Sequence, residues 1–201
     1  MSKECSFGMS LKNYREVKMG KVLIFLADGH EEIEALTVVD LLRRAGIEIE
    51  TVSITGKREV TSSHKVTIIA DKLLDEVDFD KADMLVLPGG MPGTLNLEAC
   101  EPLMKQVRAF NEKGKYIAAI CAAPTVFGRA GLLKGKKACC YPDMEGDLKG
   151  AKVSYDHVCV DGNVITSRGM GTAIEFGLAI IEKFQGKDAA DSMATKVVFG
   201  L

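Results

Sequence analysis

Cys121 stands between the apolar run Tyr116-Ile-Ala-Ala-Ile120 and Ala122-Ala-Pro124, after which come Val126-Phe127 and Leu132-Leu133. The spacing predicts a buried strand, a sharp turn at the cysteine and a helix starting near Pro124. Proline is tolerated in a first helical turn, where its missing N–H would be unpaired anyway. A nucleophile held between strand and helix is presented at the carboxyl edge of a sheet, the elbow arrangement of many α/β enzymes. The unpaired N–H groups and dipole of the new helix would favour a thiolate there. The plain alternative is a structural cysteine closing a buried strand.

Other residues could serve such a thiol. Gly89-Gly90, within Pro88-Gly-Gly-Met-Pro-Gly93, could turn a backbone N–H toward an oxyanion, paired with the N–H of Ala122; otherwise it is a tight turn. It lacks the G-x-x-x-x-G-K-S/T pattern of a nucleotide-binding loop. Glu31 and Glu34 can both lie toward the apolar stripe of one helix, and periodicity does not choose between them. An acidic first turn favoured by the helix dipole accounts for either. A cysteine hydrolase usually takes an imidazole as base. The three histidines are His30, after the first strand and able to reach a cleft, His64 in a turn-rich stretch and His157 in a late strand. None supplies a clear dyad.

The elements that must position these residues follow from pattern. Lys21–Ala27 is a continuous apolar run, as in a strand covered on both faces. A helix over about 31–45, with Ala35, Val38, Val39, Leu42 and Ala45 on one stripe, ends at Gly46. Ile47–Ile54 reads as the second strand of a right-handed βαβ unit. Residues 55–70 form a hairpin excursion, Met84–Leu87 a third core strand and 101–113 a helix. Past the elbow, Ala138–Tyr141 and Lys152–Val160 read as short strands, and Asp161-Gly-Asn163 turns into Val164-Ile-Thr166. Gly169-Met-Gly-Thr172 opens a helix carrying Ile174, Leu178, Ile181 and Phe184, and a short helix near 188–193 follows. Strands alternating with helices predict a doubly wound α/β domain. In such a sheet ligands bind outside the carboxyl ends of the strands, so 28–34, 88–93 and 121–124 would meet in one cleft.

Composition excludes more than it selects. With 47% hydrophobic and 27% charged residues and a net charge of −2, nothing argues for nucleic acid or an anionic membrane as partner. No apolar run approaches the ~20 residues of a membrane span. Residues 1–19 are polar, end in a second methionine, Met19, and lack the apolar core of a signal peptide; they are expected to be a disordered extension preceding one domain over 20–201. The six cysteines show no C-x-x-C spacing, so reduced thiols in a cytoplasm, with no metal and no cofactor, are expected. The adjacent Cys139-Cys140 read as small buried strand residues.

Four segments in order, Ala27-Asp-Gly-His-Glu-Glu-Ile-Glu34, Val86-Leu-Pro-Gly-Gly90, Ala118-Ala-Ile-Cys-Ala-Ala-Pro124 and Thr166-Ser-Arg-Gly-Met-Gly-Thr172, resemble the DJ-1/ThiJ/PfpI superfamily, its DJ-1-like branch above all, over nearly all of 20–195. The resemblance implies a flavodoxin-like fold with helices on both faces of a mostly parallel sheet, and usually a homodimer. It implies a reactive, oxidation-sensitive Cys121, hydrogen-bonded by a protonated Glu34, with backbone donors at Gly90 and Ala122. Gly89, His30, Tyr141, Arg168 and Gly169 would border the pocket. A neutral Glu34 can donate to a thiolate that an ionised one would repel, and the same donor would favour a sulfinate. Tyr141-Pro142 stands where many relatives carry histidine before proline, which weighs against protease and chaperone-glyoxalase chemistry. The elbow lacks Gly-x-Cys-x-Gly and no downstream His-x-Glu is present, which weighs against amidotransferase chemistry. His64 replaces an arginine that often helps hold the dimer. The resemblance points to a cytoplasmic stress protein acting by cysteine-dependent glyoxalase or deglycase chemistry on small 2-oxoaldehydes or glycated groups. A non-enzymatic redox sensor or chaperone dimer is the competing reading, and a peptidase-like hydrolase using His30 or another histidine a third.

Overall fold

The computed structural model describes residues 20–200, so the expectation for 1–19 lies outside the described residues. In chain order the elements are β1 (Lys21–Leu26), α1 (Glu32–Arg44), β2 (Glu48–Ser53), β3 (Glu59–Thr61), β4 (Thr67–Ile69), β5 (Lys72–Leu73), β6 (Met84–Leu87), α2 (Gly93–Ala99) and α3 (Glu101–Glu112). Then come β7 (Tyr116–Ile120), α4 (Pro124–Arg129), β8 (Lys137–Ala138), β9 (Lys152–Val153), β10 (Val158–Asp161), β11 (Val164–Ser167), α5 (Ala173–Gln185) and α6 (Lys187–Lys196).

Seven strands form one sheet in the order β10-β11-β7-β6-β1-β2-β5. Every pairing is parallel except β10 with β11, which Asp161-Gly-Asn163 joins as a hairpin. The central strands are apolar throughout because both faces are covered: Val22 to Ala27 and Met84 to Leu87 have no exposed surface. Alternation along each strand divides the core in two. Val22, Ile24 and Leu26 face α1 and α5, with Val38, Leu42, Phe176 and Ile180. Leu23 and Phe25 face the layer of α2, α3 and α4, with Leu97, Leu103, Val107 and Phe127. This is the expected flavodoxin-like α/β arrangement.

Two local readings need correction, and α2 has no counterpart in the sequence pattern: it is seven residues long, opens on a glycine and is too short to show a period. Lys152–Val160 is two strands, β9 and β10, interrupted at Ser154–His157. Cys139 and Cys140 are buried, at 0% and 1% exposure, but follow β8 instead of lying in a strand. The Cys139 N–H goes to the Thr166 Oγ1, 3.0 Å away, and its thiol to the Thr166 carbonyl at 3.4 Å.

Candidate active site

Because β1, β6 and β7 are neighbours, the loops at their carboxyl ends meet, as the topology requires. Cys121 is the residue after β7 and sits at φ 65, the left-handed region that costs a non-glycine residue about 1–2 kcal/mol. Backbone hydrogen bonds hold it there. Its N–H donates to the Ser167 carbonyl on β11 (2.9 Å), its carbonyl accepts from the Tyr141 N–H (2.8 Å), and the Ala123 N–H closes the turn on Ile120 (3.1 Å). Ser167 is a site residue that sequence reasoning placed only as part of a motif. It holds the elbow through a main-chain carbonyl, which leaves no mark in side-chain chemistry.

Glu34, in the first turn of α1, is 1% exposed. Its Oε2 accepts from the Gly89 N–H at 2.9 Å, and the carboxyl interacts with the Cys121 thiol. Burial, first, and the nearby Glu31 charge raise it from 4.5 to about 7, against the pull of those two hydrogen bonds. Burial, first, and then the Glu34 charge push the Cys121 thiol up to about 12, although the Ala122 and Gly90 N–H groups both point at the sulfur and oppose the shift. The helix behind the elbow is only six residues long. The thiolate anticipated from its dipole is therefore not favoured while Glu34 is ionised. The two groups make a pair that holds one proton over a wide pH range.

Glycine is required around this pair. A Cβ on Gly89 would lie 2.6 Å from the Cys121 Cβ and 2.7 Å from Glu34 Oε2. Gly90, at φ +87, packs its backbone against that of His30 and Glu31. The second Glu34 oxygen, Oε1, is buried with no hydrogen-bond partner among the described residues. It faces the space beside Gly169, 3.9 Å from where a Cβ there would stand, and the Tyr141 ring edge lines the same space at 3.5 Å. An acceptor left bare beside a nucleophile is free for a substrate hydroxyl or carbonyl carrying a proton.

The other anticipated residues divide. Tyr141 borders the site, half exposed. Glu31 is the N-cap of α1, its Oε2 accepting from the Glu34 N–H at 2.8 Å. That separates the two glutamates which periodicity left open. His30 is fully buried, its Nδ1 2.9 Å from the Ala27 carbonyl, and burial lowers its pKa. No hydrogen bond joins it to Cys121 among the described residues. Arg168 turns its guanidinium to the Tyr155 carbonyl (3.3 Å) and toward Glu145 (3.8 Å), so only its backbone neighbour Gly169 reaches the Glu34 side. His157 pairs with Glu175 (2.8 Å) and His64 lies beside Glu31 and Glu32.

Residues 20–183 match the model of the DJ-1/PfpI family. The Drosophila melanogaster protein dj-1beta is 41% identical over 86% of this chain and 93% of its own length. The Caenorhabditis elegans "Glutathione-independent glyoxalase DJR-1.2" is 32% identical over 81% of this chain and 87% of its own. The chain spans only 39% of the Arabidopsis thaliana DJ-1 homolog B and 44% of homolog A, to which it is 43% and 44% identical. Among solved structures, "Toxoplasma gondii DJ-1, oxidized" superposes with a TM-score of 0.87 at 37% identity, covering 90% of this chain and all of that one.

Proposed function

The chain belongs to the DJ-1/PfpI family, and on that premise we propose that it converts small 2-oxoaldehydes to 2-hydroxy acids, with glycated groups as related substrates. One observation carries the reading. A buried carboxyl raised to about 7 shares a proton with the elbow thiol while its second oxygen has no protein partner. The relative named as a glutathione-independent glyoxalase supports it.

The reaction balances without a cofactor. The Cys121 sulfur adds to the aldehyde carbon, and the pair's proton passes to the new alkoxide oxygen, giving a hemithioacetal. The Glu34 carboxylate takes the proton from that carbon and returns it to the adjacent one through an enediol. The result is a 2-hydroxyacyl thioester. Water hydrolyses it, releasing the hydroxy acid and restoring the thiol. The Gly90 and Ala122 N–H groups, which point at the sulfur, stabilise negative charge that develops there.

A second reading has its own support: the solved relative described as oxidized. Here Cys121 is a sensor, its sulfinate held by the same backbone donors and by a protonated Glu34. For either reading we place the chain in the cytoplasm, where thiols are kept reduced, as a stress-response homodimer. The exposed Ile33 and Leu36 of α1 offer an apolar strip that a second copy would cover.

The deciding experiment measures methylglyoxal turnover to lactate in Tris-free buffer, beside intact mass after mild peroxide. Wild type should turn over, Cys121→Ser should not, and Glu34→Gln should fall by about 10²–10⁴. No turnover, with two oxygens added at Cys121 alone, would rule out the glyoxalase and leave the sensor.

A further inference from the structure

At the rim of the site, on the other side of the α1 start, Glu31, Glu32 and His64 converge. Their donor atoms lie within 4.8 Å of one another. His64 Nδ1 is 3.2 Å from Glu32 Oε1 and 3.8 Å from Glu31 Oε1. We propose that these three side chains bind a divalent transition-metal ion of the zinc class.

The first argument is charge. Both glutamate side chains are only 11% exposed, and a cation is the natural counter-charge for two neighbouring carboxylates so withdrawn from water. Among the described residues neither forms an ion pair with a lysine or arginine; the basic side chain beside them is His64. A divalent ion balances the pair fully.

The second argument is geometry. Bonds of about 2.0–2.2 Å to imidazole and carboxylate around a tetrahedral ion set donors roughly 3.3–3.5 Å apart. The separations from His64 Nδ1 bracket that value, so small side-chain rotations close the site. The surroundings already hold the ligands. Glu31 is fixed by the Glu34 N–H on its other oxygen, and Glu32 takes a hydrogen bond from Ser62. The hairpin bearing His64 is tied to the loop after β1 by Ser63 N–H to the His30 carbonyl, Gly29 N–H to the Thr61 carbonyl (each 2.8 Å) and Thr61 N–H to Asp28 Oδ1 (2.9 Å). Supporting contacts of this kind orient first ligands. The His64 side chain is 70% exposed in the single chain, which leaves the remaining positions to water or to a donor from a second copy. One imidazole with two carboxylates suits zinc, manganese or cobalt better than magnesium, which prefers oxygen and its own water.

The test titrates the full chain with zinc chloride, and separately with magnesium chloride, by calorimetry. The expected result is one zinc per chain and no comparable magnesium binding. Cys121→Ser should keep the affinity, and cobalt loading should give no sulfur-to-metal charge-transfer band. His64→Ala, at an exposed position, and Glu32→Gln should each weaken zinc by at least about tenfold. His64→Arg should abolish binding with no loss of melting temperature, since a guanidinium then sits between the carboxylates. Affinity unchanged by the His64 variants, or lost in Cys121→Ser, would overturn the proposal. Turnover of methylglyoxal enters none of these readouts.

Discussion

Between pH 4.5 and about 7 the folded chain keeps a proton on Glu34 that the unfolded chain has released. The sign follows from the raised value. Stability from this group is complete below 4.5, drains away as pH climbs to about 7, and is flat beyond. Across that window the loss is about 3 kcal/mol for a fully buried carboxyl. Wild type and Glu34→Gln, unfolded in urea at half-unit pH steps, should therefore diverge over this range and run parallel above it; parallel curves throughout would mean an ordinary carboxyl. The same proton governs the proposed chemistry. Below about 7 the pair holds two protons and lacks a base, so kcat/KM should rise with pH through about 7 and level off. Glu34→Gln should lose that inflection along with its rate.

Elbow and loop are built so that backbone does what side chains cannot. Since Cys121 sits at φ 65, Cys121→Gly should be about 1 kcal/mol more stable than Cys121→Ala, an ordering that chemical unfolding reads directly. Gly89→Ala should keep the fold but force thiol and carboxyl apart, lowering turnover far more than it lowers melting temperature. Much of this was legible beforehand. The apolar runs at 21–27, 84–87 and 116–120 announced the three strands, and parallel alternation told where their ends would gather. Cys121 and the Gly-Gly loop follow from that alone. Choosing Glu34 over Glu31 needed the family resemblance, because both occupy one helix face; the structure separates them by the cap that Glu31 makes. What stayed hidden works through main-chain atoms, as with the Ser167 carbonyl, or lacks a period, as with α2. The short helix behind Cys121 could not outweigh burial, and this is why the thiol moved opposite to the dipole argument.

At the scale of the molecule, the sheet is sealed on both faces but not at every flank. Its β5 border has only two residues, and Ile33 and Leu36 stand 47% and 38% exposed on α1. If a second copy covers that strip, sedimentation should give twice the mass of one chain, and Leu36→Asp should return it to one. The site itself draws on residues far apart in the chain, from Glu34 through Gly89 and Cys121 to Ser167. During synthesis at about 5–20 residues per second, Cys121 waits roughly two to nine seconds before the strand that fastens it has been made. Through that interval Cys121 is an ordinary thiol, more readily ionised than it will be once buried beside a carboxylate. Maturation thus lowers this cysteine's exposure to stray electrophiles as it acquires its partner. A nascent chain paused before Val164 should take up iodoacetamide at Cys121 faster than the finished protein does at the same pH.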